Sequence, residues 1–205
     1  MARTTAFEAH SEEYDAWFDE HTDAFRAELA AVRALLPAGG RRVEVGVGSG
    51  IFAAPLGIGL GVEPAEAMAA RARQRGIEVL CGVAEALPLD DAAFDAVLMV
   101  TTICFVDDPA RALAEAWRVL VPGGVLVLGF VDRDSTLGRS YERKRAHSRF
   151  YGEAEFYTAA ELGRLLEASG FSELAARQTL LAQGDRLAVR AGSGQGAFVV
   201  LRGRK

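Results

Sequence analysis

Cysteine is scarce in this chain. Its 205 residues hold only Cys81 and Cys104, both in apolar stretches and without the paired spacing of a metal site. That excludes a disulfide-built scaffold and points to a reducing, cytoplasmic setting. Lysine is as rare: of 23 basic residues only Lys144 and Lys205 are lysines. Against 28 acids these leave a net charge of −5, so the chain has no overall attraction to phosphate backbones or anionic lipid. Neither nucleic acid nor a membrane is expected as a partner. Long apolar runs are missing too. The longest, Ala96 to Val106, is interrupted by Thr101 and Thr102 and falls far short of the ~20 residues that span a bilayer. The first ten residues lack the basic and apolar blocks of a secretion signal. What remains is a soluble chain of one-domain length, 50% hydrophobic and 25% charged, with ample material for a core.

Periodicity divides the chain. Phe7, Tyr14, Trp17, Phe18, His21, Phe25, Leu29, Val32 and Leu36 recur at helical steps, and Pro37 with Gly39 and Gly40 ends that stretch. Residues 1–40 therefore read as a helical cap. Short β-type runs alternating with helices follow: Arg42 to Val45, Gly59 to Val62, a helix from Pro64 to about Gln74, Ile77 to Cys81, and the run Phe94 to Val100, apolar but for Asp95. Such a run marks a strand covered on both faces. Asp108-Pro109 opens a helix that Pro122-Gly123-Gly124 closes, and Val125 to Phe130 is the next buried strand. Thr158 and Glu161 form a capping box. Weaker strands follow Gly170 and span Gly196 to Leu201. Alternating strands and helices specify an α/β, doubly wound sheet, with the last strands as an antiparallel edge.

In such sheets the ligand lies beyond the carboxyl ends of the strands, so the first strand-to-helix turn is where chemistry is sought. It reads Glu44-Val45-Gly46-Val47-Gly48-Ser49-Gly50. A dinucleotide fingerprint needs a third glycine at position 51, which is Ile, so a nicotinamide or flavin cofactor is disfavoured. Glu63 ends the second strand, where a carboxylate can accept from both hydroxyls of a ribose. A glycine turn and a strand-end acid, each commonplace alone, point together to a nucleoside ligand.

With Gly61-Val62-Glu63-Pro64 and Met68, Gly82-Val83-Ala84-Glu85-Ala86-Leu87-Pro88-Leu89, Phe94-Asp95-Ala96-Val97 and Arg118-Val119-Leu120-Val121-Pro122-Gly123-Gly124 in order, the chain resembles the class I S-adenosylmethionine-dependent methyltransferases, in particular the ubiquinone/menaquinone-biosynthesis-like group. The resemblance runs from about Tyr14 to Phe171. It implies a mostly parallel, seven-stranded Rossmann-like sheet, a cofactor-binding half over residues 41–131 and a substrate-side half over 132–205, all in one domain. It also implies S-adenosylmethionine as cofactor. Gly46, Gly48 and Gly50 would pass under its methionine part, Glu44 would help hold its amino end, Glu63 would take the ribose, Pro64 and Met68 would pack on the adenosine, and Ala84 and Glu85 would edge the adenine. Thr101 and Thr102 would face cofactor and substrate, and Tyr14, with Trp17, would close over them. Two positions depart from the family pattern: Val83 stands where an acid often meets the adenine amino group, and Cys104-Phe105 where many relatives carry a histidine pair.

Methyl transfer by in-line displacement requires no metal and no covalent intermediate, only alignment and exclusion of water. Asp132, His147 and Tyr14 are the candidates for a base, although Asp132 equally suits a cap and His147 a solvated helix face. Arg139, Arg143 and His147 share one helical face, near Tyr141, Phe150, Tyr151, Phe156 and Tyr157. The expected methyl acceptor is a small molecule with a hydrophobic body, with a carboxylate or phosphate near Arg139 or Arg143 as one variant. A non-catalytic cofactor-binding or nucleotide-binding regulator of the same fold is the alternative, with an NAD-dependent oxidoreductase further behind.

Overall fold

The computed structural model describes residues 4–205. Three helices come first: α1 (Thr5–Ala9), α2 (Ser11–Glu20) and α3 (Thr22–Arg33). The alternating part follows as β1 (Arg42–Val45), α4 (Ala53–Leu56), β2 (Leu60–Val62), α5 (Glu66–Gln74), β3 (Glu78–Leu80), β4 (Phe94–Val100), α6 (Pro109–Val119) and β5 (Leu120–Val131). Then come α7 (Thr136–Lys144), a 3-10 turn at Arg145–His147, α8 (Ala159–Ala168), β6 (Ser172–Leu181), β7 (Arg190–Ala191) and β8 (Gly196–Arg204).

The strands form a single sheet in the order β3-β2-β1-β4-β5-β8-β6-β7. β1 to β5 are parallel, and β8, β6 and β7 join antiparallel. The sheet has eight strands where seven were expected; the extra one is the two-residue β7, which pairs Arg177 with Ala191 and Gln178 with Arg190. The last strands make the expected antiparallel edge, with β8 inserted between β5 and β6. Strand order reverses between β1 and β4, and this switch point opens the crevice in which ligands of such sheets sit.

Alternation along the central strands makes two cores. Val97 and Met99 of β4 face one layer with Leu126, Leu128 and Phe130 of β5, against Ala112, Leu113 and Ala116 of α6 and Leu162 and Leu166 of α8. Ala96, Leu98 and Val100 face the other, with Val125, Val127, Phe198 and Val200, against Ala31 and Val32 of α3 and Ala69 and Ala72 of α5. Both faces of β4 from Ala96 onward and of β5 from Val125 to Phe130 are therefore dry, as their apolar sequences require. The second cluster also corrects the reading of residues 1–40 as one cap: α3 is a layer helix on the sheet, and only α1 and α2 lie over the strand ends.

Both helix starts inferred from sequence have their caps. Asp108 accepts from the Arg111 N–H at 3.0 Å with Pro109 in the first turn, and Thr158 and Glu161 complete a reciprocal box. α5 is different. It begins at Glu66 rather than at Pro64, and its N-cap, Ala65, has no side chain able to cap it. Glu8 of α1 supplies the missing acceptors, taking the Glu66 and Ala67 N–H groups at 2.6 and 3.0 Å. Asp15 of α2 adds Arg71 Nε and Arg75 Nη2, each at 2.9 Å, while Glu13 pairs with Arg149. The cap is thus latched to the helix that follows β2.

Arg118 anchors the segment entering β4. It donates to the Leu87 and Leu89 carbonyls at 3.1 and 2.8 Å, to Asp91 at 2.6 Å and in a fork to Glu115 at 2.7 and 2.8 Å. Arg118→Met is expected to cost about 1.5–3 kcal/mol, the scale of hydrogen bonds to charged groups, read as a lower urea midpoint. Arg26→Ala, which removes an exposed pair with Asp23, is expected to stay within about 0.5 kcal/mol.

Candidate functional site

A cleft of about 820 Å³, measured out to its open mouth, lies over the carboxyl ends of β1 to β4. Of the residues singled out from sequence, Tyr14, Gly46, Gly48, Glu63, Pro64, Met68, Ala84, Glu85, Thr101 and Thr102 line it. Thr4, Phe7, Gly82, Val83, Val100, Phe105, Val106, Phe150 and Tyr151 complete the wall. The cleft has two halves. One, over β1 to β3, is built of glycine backbone and an acid. The other, over β4 and under α1, is aromatic.

In the first half Glu63 is the organising side chain. Its Oε2 accepts from the Gly48 N–H and its Oε1 from the Ala65 N–H, both at 2.9 Å, so it ties the glycine turn to the entry of α5. Burial pushes its carboxyl above the usual range in spite of these bonds. Gly48 takes φ +54°, and a Cβ there would meet nothing closer than Met68 Cε at 3.4 Å, which leaves the ligand side open. Gly46 is required for a different reason. At φ +68° its Cβ would collide with the Thr102 side chain at 2.4 Å, and the single Thr102 O–H has the Val45 and Val100 carbonyls at 3.1 Å and the Gly46 carbonyl at 3.4 Å as alternative acceptors. Thr102 is a strut beneath the turn as well as part of the wall.

Three expected residues lie outside the cleft, Trp17 among them, its ring stacked on His21 at 4.3 Å. A Cβ on Gly50 would strike Ile77 Cδ1 at 2.4 Å and Ala72 at 3.3 Å, so this glycine permits close packing of α5 rather than approach of a ligand. Glu44 is buried beneath the turn, where Ala53 N–H engages it while its Oε2 has no partner. Burial, followed by the neighbouring Glu63, raises its carboxyl well above the ordinary range. Glu85 lines the cleft, yet its Oε1 accepts from the Asp107 and Asp108 N–H groups at 2.7 and 3.3 Å, so its carboxylate holds the turn after β4.

The base candidates separate as well. Asp132 lines a surface groove with Arg139, not this cleft, and its oxygens accept from the Asp134 and Ala159 N–H groups at 2.9 and 3.3 Å. It is a cap. His147 is exposed in the 3-10 turn beyond α7, off the helical face assigned to it, and Arg143 is exposed too. Tyr14 alone of the three lies at the cleft, hydrogen-bonded to the Thr101 side chain, and burial raises its hydroxyl above the ordinary range. Thr101 itself holds φ +51°, an outlier for a β-branched residue that costs about 1–3 kcal/mol. Phe7 and Thr4 were not anticipated as wall residues. Helical spacing gives Phe7 a buried face but cannot say that α1 folds back over β4.

The comparisons agree with this geometry. A family model described as "Methyltransferase domain" matches residues 43–128. A solved structure from Thermotoga maritima, described as a SAM-dependent methyltransferase and possible histamine N-methyltransferase, is 52% identical. It covers 98% of this chain and 99% of its own, with a TM-score of 0.94. A curated but uncharacterised protein of Methanocaldococcus jannaschii is 40% identical over 202 residues, 97% of this chain and 98% of the relative. One from Mycobacterium tuberculosis is 43% identical over 171 residues, 82% of this chain and 60% of its own length.

The cleft fits a cationic nucleoside such as S-adenosylmethionine on three counts. Glu44 and Glu63 form a buried acidic pair, with no basic side chain bonded to either among the described residues; Glu44 Oε2 is an orphaned acceptor; and a Cβ at Gly48 would occupy the open cradle. Glu63→Ala is expected to weaken S-adenosylhomocysteine by about 1.5–3 kcal/mol, and Gly48→Val to abolish its binding through both sterics and the left-handed backbone. Calorimetry on variants whose circular dichroism matches the parent checks both. The cleft at the switch point, the matched family model and relatives aligned over nearly the whole chain lead to one conclusion: the chain belongs to the class I S-adenosylmethionine-dependent methyltransferases.

Proposed function

We propose that the chain methylates a small molecule, and that the accepting atom is a nitrogen held in the aromatic half of the cleft. The observation that carries this reading is the composition of that half. Phe7, Tyr14, Phe105, Phe150 and Tyr151 surround the space beside Thr101, with Phe7 centred 5.1 Å from Phe105 and 5.6 Å from Phe150, and Tyr14 5.6 Å from Phe150. Where their faces turn toward the cleft, such rings attract a cation or an amine. No Lys, Arg or His lines the cleft among the described residues, so the acceptor proposed here is cationic or neutral rather than anionic. The name of the Thermotoga relative, which mentions an amine acceptor, supports the same reading.

When bound, S-adenosylmethionine supplies an electrophilic methyl group whose transfer to nitrogen moves the positive charge from sulfur to that nitrogen. The residues here would do the remaining work. Glu63, the Gly46–Gly48 backbone, Pro64, Met68 and Ala84 would hold the cofactor, with Glu44 buried beneath its amino end. Thr101 and Tyr14 sit where the two halves meet and would orient the acceptor. α1 and α2, latched through Glu8 and Asp15, would keep water out, the positioning and desolvation that such a displacement requires.

Methyl-labelled cofactor offered with a panel of small amines, carboxylates, tRNA and protein extract is expected to label an amine. Tyr151→Ala should then raise KM for it about tenfold with little change in cofactor affinity, because binding and not chemistry is lost. Label found only in macromolecules or carboxylates would overturn the reading.

A further inference from the structure

The aromatic half of the cleft does not end the apolar space at this side of the sheet. A second recess of about 270 Å³, measured like the cleft out to its mouth, lies behind it. Ile103, Cys104, Phe130, Val131, Phe156 and Tyr157 line the recess, while Thr101 and Tyr151 line both spaces. None of these eight is Asp, Glu, Lys, Arg or His. Strand order gives the two spaces one axis. The cofactor half lies over β1 to β3 and the aromatic half over β4. The recess lies over the carboxyl ends of β4 and β5, with Ile103 and Cys104 following the one and Phe130 and Val131 closing the other. A line along the crest of the sheet therefore runs from the cofactor past Thr101 to Tyr151 and on into the recess.

Tyr151 divides them. Its ring is stacked between Phe105 of the cleft wall at 5.9 Å and Tyr141 at 5.1 Å, and it tilts against Phe156 of the recess wall at 5.7 Å. Its backbone is held as well. The Tyr151 N–H donates to Ser148 Oγ at 3.1 Å, its carbonyl accepts from the Ala154 N–H at 3.1 Å, and the Glu155 N–H donates to the Cys104 carbonyl at 2.8 Å. Behind the ring, Cys104, Ala154 and Phe156 form a small cluster of their own, apart from both sheet cores. The recess is a packing defect in that third cluster, where apolar surface lacks partner atoms on one side. Hydrocarbon is its favourable filling. With the ring in place, however, its free interior is about that of one water molecule, too small for a further ring or chain.

We infer that Tyr151 sets the length of the acceptor: its ring closes the cleft against the apolar recess, so the protein takes a molecule that ends at Tyr151 and rejects one that continues beyond it. The inference rests on the reading that the acceptor occupies the aromatic half, and adds a limit on its size. The selection is steric, and so it is independent of charge at the reacting nitrogen. One group too many in a hydrophobic pocket is worth about 10–200-fold in discrimination. The ring and not the hydroxyl makes the partition. Phenylalanine at this position therefore preserves it, and a small side chain joins the recess to the cleft.

The test uses the full chain saturated with S-adenosylhomocysteine and two pairs of probes: benzylamine with 4-phenylbenzylamine, and their neutral counterparts benzyl alcohol with 4-biphenylmethanol. Calorimetry on the parent is expected to show the short member of each pair bound at least about tenfold more tightly than the long one. In Tyr151→Ala, with circular dichroism matching the parent, the long-to-short affinity ratio should rise at least about tenfold in both pairs. Tyr151→Phe should keep the parental ratio. Tyr151→Leu, which also shortens the side chain, serves as the second variant if the alanine does not fold. A parent that binds long and short members alike overturns the partition, as does a parental ratio retained in the alanine or leucine variant. In either case a parental preference for amine over alcohol leaves the nitrogen-acceptor reading standing. If the ratio shifts among the alcohols while the parent shows no preference for amines, that reading falls and the partition stands. Binding of no probe by parent or variant overturns both.

Discussion

The hydrogen bond from the Gly48 N–H to Glu63 is the constraint on which the site depends. It joins the turn after β1 to the turn after β2, two loops from adjacent parallel strands that would otherwise be independent. The geometry is possible only because Gly46 and Gly48 hold backbone angles that L side chains rarely adopt, and because Thr102, from the far side of the switch point, fills the space under Gly46. Glu63 is buried in the process beside a second acid, Glu44. Two neighbouring carboxylates without a basic partner are an unfavourable arrangement in a protein interior. A ligand carrying positive charge relieves it, and so the preference for such a cofactor is built into the scaffold.

The aromatic half follows another rule. Its rings pack on one another across the boundary between cap and body: Phe7 and Tyr14 come from the cap, and Phe105, Phe150 and Tyr151 from the loops after β4 and α7. The same contacts that seat the cap therefore shape the acceptor space. Edge-on and stacked ring pairs contribute about 0.5–1.5 kcal/mol each beyond area burial, so any acceptor that parts these rings must replace what it disrupts. Strain at Thr101, at the junction of the halves, fits the pattern in which unfavourable backbone is tolerated where ligands meet.

Much of this was legible in the sequence. β4 and β5 declared themselves by the apolar runs from Ala96 and from Val125, α6 and α8 by their caps, and the cofactor half by a glycine turn followed by a strand-end acid. These are local signals, each with a local physical cause. What the sequence concealed depends on contacts between distant segments. Gly50 looks like its neighbours in the motif, but only the position of Ala72 and Ile77 shows that it serves packing. Asp132 has the chemistry of a base and the surroundings of a cap. The basic face from Arg139 to His147 is interrupted because the helix tightens after Lys144. The two-residue β7 is too short to register as periodicity at all.

The capping of α5 by Glu8 has a consequence for dynamics. The Glu66 and Ala67 amide protons are held by a carboxylate that belongs to another helix, so they become free to exchange with solvent only when α1 departs. Their exchange then reports the local equilibrium by which α1 leaves α5 rather than global unfolding. Two backbone positions at the start of α5 thus report how often the cap is lifted from the body, readable on the resting protein without label, substrate or turnover.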